Sequence, residues 1–449
     1  MQNNAMKQPL IFSLSVFLVV MASCGSSRKA VSHQRQPDTS VSPLDRATPT
    51  PTNIRTTSKN KTKTPEERLS YRLDSLLQTA DTLLRISQLG MHVIDLSTGK
   101  VLYAFNASQR MRPASTEKVV TAITALDQLG PSYPFSTKLL ATAPLNGRVL
   151  QGDLYIKGCM DPLLTQSDVR QLANQLKAMG VHTINGHLVA DASFKDSDEY
   201  GWGWCWDDEN PTLSPLLVGG KPGLAAALRT ALKNAGITLK KGVTHGTAPA
   251  NARELTAINR PLTAVLQPMM KESDNLCAEA VFYQLRPTSS PSRNGAQGKH
   301  YSRKLAAGAV EDVIERSYSL QSLPSITGGD GSVIADGSGL SLYNYQTPET
   351  FTHLLAYAAA RPDSVLNPLL EAMPIAAVDG TLKKRMAGTE AAANVRAKTG
   401  SVTAVSTLVG YTTQRSTGHL IAFAIMNQGV ERMAQGRALQ DQVCILLSQ

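Results

Sequence analysis

A chain of 449 residues with 42% apolar side chains and a mean hydropathy of -0.15 can bury a sizeable core in one large or two interlocked domains. It is too polar for a multispan membrane protein. The formal net charge is +10, but residues 25–64 hold eight Lys/Arg against two acidic residues, Lys7 adds one cation, and only +3 is left for residues 65–449. The basicity belongs to a tail, and a nucleic-acid-binding face on the folded part is not supported.

Lys7 precedes the apolar run Leu10–Ser23, and small Ala22 and Ser23 stand before Cys24. Residues 1–24 therefore read as a secretory signal, too short for a comfortable spanning helix. A cysteine directly after the cleavage site resembles a bacterial lipoprotein signal, which implies a lipidated Cys24 sulfur and a membrane anchor outside the cytoplasm. An ordinary cleaved signal is the alternative, since Met21 stands where that pattern usually has Leu. Residues 25–64 are rich in Ser, Thr, Pro, Lys and Arg and bury too little to offset their ordering entropy, so they read as a flexible tether.

The fold is expected to begin near Glu66, with a helix through Leu73, Leu76, Leu77, Leu83 and Leu84. Two strand-like runs follow, Met91–Leu96 and Val101–Phe105, around the turn Ser97-Thr98-Gly99-Lys100. Near the other end, Val405–Thr412 and His419–Met426 make a second hairpin, and an amphipathic stretch runs from Val430 towards Leu447. Strands from both chain ends imply one antiparallel sheet flanked by helices, an α/β (α+β) fold with the middle of the chain inserted. Residues 65–135 and 255–449 are assigned to the main domain and residues 136–254 to the insertion. Cys159, Cys205, Cys277 and Cys444 lack zinc-knuckle spacing, and export would permit disulfides that sequence cannot pair.

Three short motifs fall in a meaningful order. Ser115-Thr116-Glu117-Lys118 follows Pro113 and opens an apolar helical pattern through Val119, Val120, Ala122, Ile123, Ala125 and Leu126. Residues three apart share a helix face, which sets Lys118 one turn below the Ser115 hydroxyl. Ser273-Asp274-Asn275 is the second motif, and Lys398-Thr399-Gly400, at the mouth of an expected strand, is the third. A serine hydroxyl needs a base. Lys118 can serve if burial and a nearby charge, here Lys398, keep its amine partly neutral. Ser273 would relay the proton to the leaving amine, and Asn275 would hold Lys118 and the substrate amide. Lys398 and Thr399 suit a terminal carboxylate, Gly400 lets the peptide approach, and the N–H groups of Ser115 and Ser401 suit an oxyanion.

This set resembles the penicillin-binding proteins with D-alanyl-D-alanine carboxypeptidase and endopeptidase activity. The resemblance extends over Arg112-Pro113-Ala114-Ser115, Gly152-Asp153-Leu154-Tyr155, Asp161-Pro162, Lys271–Leu276, Asp336–Ser341 and Val378–Leu382. It implies a penicillin-binding, β-lactamase-like transpeptidase fold, cell-wall stem peptides as substrate, β-lactams as acylating inhibitors, and no metal or organic cofactor. The run Trp202–Asp208 holds every tryptophan of the chain. Its position resembles the family segment lining the pocket for the stem-peptide side chain, implying that Trp204 packs the aliphatic part and Asp207 pairs with an ammonium. The Asp336–Ser341 stretch reads as a turn shaping the site. Pro215–Pro222 bridges a place where family members are longer, so the insertion is expected to be shortened, and Cys159-Met160 replaces glycines before Asp161.

A β-lactamase is the first rival. Its Glu-x-x-Leu-Asn segment is missing, since Glu390–Asn394 lacks the leucine, and a persistent penicillin adduct is expected. A non-enzymatic wall-binding lipoprotein is the second, but binding alone does not require Lys118 beside Ser115.

Overall fold

The computed structural model describes residues 64–287, 301–319 and 331–449. The expected signal, Cys24 and all of the expected tether except Thr64 lie outside them. Thr64 caps the helix Pro65–Thr79: its hydroxyl accepts from the Glu67 N–H at 3.1 Å, and the Glu67 carboxylate accepts from the Thr64 N–H at 2.7 Å. The helix expected to continue through Leu84 breaks at Ala80 and resumes as Asp81–Ile86. The cause is local. The Thr79 hydroxyl donates to the Leu76 carbonyl at 2.7 Å, and the Ala80 N–H is shared between the Leu76 and Leu77 carbonyls, tightening the last turn.

The strands Arg396–Val402, Val405–Thr413, Leu420–Gln428, Gln88–Asp95 and Lys100–Phe105 form, in that spatial order, one antiparallel five-stranded sheet. Chain ends meet in it, with Gln88 opposite Gln428 and Asp95 opposite Ile421. Alternation along Leu420–Gln428 shows why the sheet is buried on both sides. Ile421, Phe423 and Ile425 pack with Leu69, Leu73, Val443 and Leu447 of the terminal helices Pro65–Thr79 and Met433–Ser448. Ala422, Ala424 and Met426 face a helical layer built from Glu117–Leu129, Leu262–Lys271, Asn275–Phe282, Arg303–Tyr318 and Pro348–Ala359. The small alanines let that layer sit close.

The insertion leaves along Pro134–Ala141 and returns along Arg253–Pro261, paired antiparallel from Pro134 opposite Pro261 inward. Within it, Val243–His245, Leu188–Asp191, Leu154–Lys157, Pro134–Ala141 and Arg253–Pro261 form a five-stranded sheet in that order, and the helices Gln166–Ala178 and Leu224–Asn234 share its core. The insertion is seated on the helical layer, because Phe135, Cys159, Met160, Leu213 and Leu217 belong to the main core. Met160 has a φ of 64°, a left-handed conformation that glycine adopts more cheaply. All four cysteines of the described residues are free thiols, three of them buried.

Candidate active site

Ser115 lies in a single 3-10 turn, Ala114–Thr116, that runs into the helix Glu117–Leu129. The turn is set by Ala114, whose φ of 48° is uncommon for a residue with a side chain. The Pro113 carbonyl takes two hydroxyls, Thr116 Oγ1 at 2.6 Å and Thr407 Oγ1 at 2.7 Å. These bonds join the turn to the strand Val405–Thr413, beside the edge strand that carries Lys398. Glycines then set the approach. A Cβ on Gly400 would overlap Thr407 Oγ1 and press on Pro113 O, and one on Gly339 would overlap Ala114 O. Gly400 was expected to make room for substrate; its lack of a side chain is already required by the turn behind it.

One turn into the helix, the Lys118 side chain is fully buried. Its amine donates to Ser115 Oγ at 3.1 Å, to Asn275 Oδ1 at 2.7 Å and to the Ser338 carbonyl at 2.7 Å. Asn275 opens the helix Asn275–Phe282, capped by Asp274, whose carboxylate accepts the Cys277 N–H at 2.7 Å. Ser273, with a φ of 63°, turns its hydroxyl towards the sheet, where Lys398 Nζ donates to it at 2.9 Å and to the Thr399 carbonyl at 2.7 Å. Lys398 stands inside the edge strand Arg396–Val402, not at its mouth. The Thr399 hydroxyl donates to Thr381 Oγ1 at 2.9 Å. The Thr381 segment is docked by Lys271, whose amine meets Asp379 at 2.7 Å. A cavity of about 500 Å3 opens on Ser115, Ser273, Thr399, Ser401, Lys384 and Arg437.

Burial decides the charge states. Lys118 is pushed down to about 8 by desolvation, against the pull of Asp336, Glu279 and Asp274. Lys398, also fully buried, is held well below its ordinary value, first by desolvation and then by the charge of Lys118. Of the two expected causes, burial leads in holding the Lys118 amine partly neutral, and the charge of Lys118 adds to the burial that lowers Lys398. Glu279 is raised to about 8 and Glu117 well above the carboxylate range, in both cases mainly by burial.

Sequence reasoning brought Ser115, Lys118, Ser273, Asn275, Lys398, Thr399, Gly400 and Ser401 together, and the fold gathers all eight. It does not bring Trp204 and Asp207 to that cavity. Trp204 donates its indole N–H to Asp336 Oδ2 at 2.7 Å and packs on the main core, while Asp207 is exposed. A buried carboxylate needs donors, and the indole is one of them. The sequence reading also missed Ser338 as an acceptor for Lys118, though the glycines around it marked a special turn. Arg437 was missed as well, because nothing in the local pattern brings the terminal helix to this cavity, and so was Lys384, although the Val378–Leu382 stretch just before it had been singled out. Among the described residues, no group of three or more His, Cys, Asp or Glu could hold a metal.

Comparison with known proteins decides the family. The sequence profile of the D-Ala-D-Ala carboxypeptidase 3 (S13) family matches residues 69–216 and 221–449. The chain belongs to this family. It is 27% identical over 428 residues to a D-alanyl-D-alanine carboxypeptidase of Haemophilus influenzae, covering 75% of this chain and 84% of the relative. It is 30% identical over 388 residues to a carboxypeptidase of Mycobacterium tuberculosis, covering 79% of each. The crystal structure of penicillin binding protein 4 from Haemophilus influenzae shares the fold, with a TM-score of 0.70, 24% identity, and 83% of this chain and 99% of that chain covered. This S13 peptidase is thus a hydrolase of the D-Ala-D-Ala carboxypeptidase class on the fold of penicillin binding protein 4. Its family match breaks at residues 217–220, inside the short Pro215–Pro222 bridge.

Two measurements test the geometry. Only a neutral Lys118 can take a proton, so the rate of acylation by a penicillin should rise with pH and reach half its plateau near about 8. A flat rate between pH 6 and 9 would contradict this. Gly400→Ala should force the edge strand off the Ser115 turn and lower the acylation rate by about 100-fold, while circular dichroism of the folded protein is unchanged.

Proposed function

We propose that this S13 peptidase removes terminal D-Ala from cell-wall stem peptides, and cuts D-Ala cross-links, through an acyl-enzyme on Ser115. The observation that carries the reading is the buried amine of Lys118, 3.1 Å from Ser115 Oγ and about 8 in pKa. Lys118 takes the Ser115 proton as the oxygen attacks the carbonyl of the penultimate D-Ala. The oxyanion that forms is stabilised by the N–H groups of Ser115 and Ser401. As the C–N bond breaks, the proton passes to the departing amine by way of Ser273, which Lys398 holds at 2.9 Å. A water then attacks the ester, Lys118 again acting as base, and restores Ser115. Thr399, Ser401 and Lys398 receive the carboxylate next to the scissile bond, and Asn275 orients both Lys118 and the substrate amide. Where the cross-linking residue carries a carboxylate on the carbon next to the leaving amine, the same seat serves both reactions.

A β-lactam presents the same acyl group and carboxylate in a ring, so it acylates Ser115. No Glu-x-x-Leu-Asn segment is present to activate a deacylating water. The pattern of Lys7, the apolar run and Cys24 supports export and lipidation at Cys24, with the tether carrying the enzyme into the periplasm. Among the described residues no helix is long and apolar enough to cross a membrane.

Intact mass after treatment with a fluorescent penicillin should show one adduct per wild-type chain, stable for many minutes, and none on Ser115→Ala. The same variant should release no D-Ala from a stem pentapeptide. Equal labelling of both proteins would remove Ser115 from the mechanism. Cell fractionation should find the wild-type chain in the membrane fraction with lipid on its N-terminal peptide, and Cys24→Ser without lipid; an unlipidated wild type would favour an ordinary cleaved signal.

A further inference from the structure

One acceptor of Lys118 is a backbone carbonyl whose peptide group is itself engaged at the other end. Ser338 C=O and Gly339 N–H belong to one peptide bond. Its oxygen accepts from Lys118 Nζ at 2.7 Å, and its N–H donates to Asp336 Oδ1 at 2.8 Å. An amine at the oxygen and a carboxylate at the N–H polarise the peptide in the same sense, so each bond strengthens the other. Asp336 is buried and forms no ion pair among the described residues. Besides Gly339 it receives Asn344 Nδ2 on Oδ1 at 2.6 Å, and the Ser341 N–H at 2.6 Å and Trp204 Nε1 at 2.7 Å on Oδ2. The loop cannot drift away from the nucleophile. Gly339, at a φ of 83°, lies against the Ala114 carbonyl, and Gly337 and Ser338 are tied through their N–H groups to Glu279 at 3.1 and 2.9 Å.

We propose that Asp336 is a positioning residue for Lys118, acting through the Ser338–Gly339 peptide, and that Trp204 moderates this action by sharing the carboxylate's charge. The proposal rests on Lys118 being the base. Other groups also face that amine: Glu117 from its own helix, Asp274, Cys277 and Glu279 from the helix that Asp274 caps, and Lys398 from the edge strand. Burial drives the amine towards neutrality, and Asp336 is first among the neighbours that oppose it. The carboxylate keeps the amine poised and aimed, with no direct ion pair to lock it in the charged form. Trp204 thereby has a task that does not require contact with substrate.

The test reads the acid limb of the pH–rate profile for acylation by a penicillin, followed by intact mass on the full chain. Asp336→Asn removes the charge that favours ammonium, so the limb should move to lower pH by about one unit. Trp204→Phe keeps the ring but removes one donor; the less shared carboxylate should move the limb to higher pH by about half a unit. A purely structural role would lower the plateau in both variants without shifting either limb. The amide introduced by Asp336→Asn would face two donors, Trp204 Nε1 and the Ser341 N–H, so folding is checked by stoichiometric adduct formation at about pH 9.5, above the limb. If Asp336→Asn fails that check, Trp204→Phe decides alone. Limbs that stay put, or that move in the same direction, overturn the proposal. Lys118→Ala separates the two levels: full acylation of that variant would defeat Lys118 as base, whereas its inactivity together with unmoved limbs defeats only the link to Asp336.

Discussion

The whole active centre depends on a lysine amine buried without a direct carboxylate contact. Taking an ammonium out of water is costly unless its protons find partners or the group gives one up. Lys118 meets this constraint with three oxygen acceptors drawn from three places: the turn that opens its own helix, the start of the helix Asn275–Phe282 and a glycine-rich loop. None is an ionised carboxylate, which would hold the proton too firmly. The helix, the Asn275 cap region and the Ser338 loop must therefore be in register before the amine can be buried at all, and that same register brings Ser115 to it.

The five-stranded sheet is the reference surface for this register. Its strand Leu420–Gln428 sends alternate residues into two different cores, so a one-residue slip would exchange them. The edge strand Arg396–Val402 inherits that alignment through full pairing with Val405–Thr413. Buried Lys398 and cavity-lining Thr399 are therefore fixed in depth relative to Ser115. Thr407, on the neighbouring strand, then ties the Ser115 turn to the sheet with a single hydroxyl.

Much of this was legible in the sequence because it is carried by local patterns. The terminal hairpins declared themselves by alternation and turn residues, and the helix after Pro113 by its apolar period. Ser115, Lys118 and Lys398 were found because a three-residue spacing on a helix and a tripeptide on a strand keep their meaning in one dimension. What stayed hidden is carried by distant contacts. Arg437 lines the cavity because the Met433–Ser448 helix crosses behind the sheet. Trp204 bonds to Asp336 across 132 residues of sequence, and no local pattern separates an indole that serves a buried carboxylate from one that serves a ligand. The depressed Lys398 likewise follows from depth, which charge counting along the chain does not reveal.

The paired rung at Pro134 and Pro261 has a mechanical consequence. The inserted segment departs and rejoins at one point, yet it stays coupled to the main core, because Leu213 and Leu217 pack there and Trp204 bonds to Asp336. A longer or shorter insertion therefore leaves that core undisturbed only while these residues keep their places.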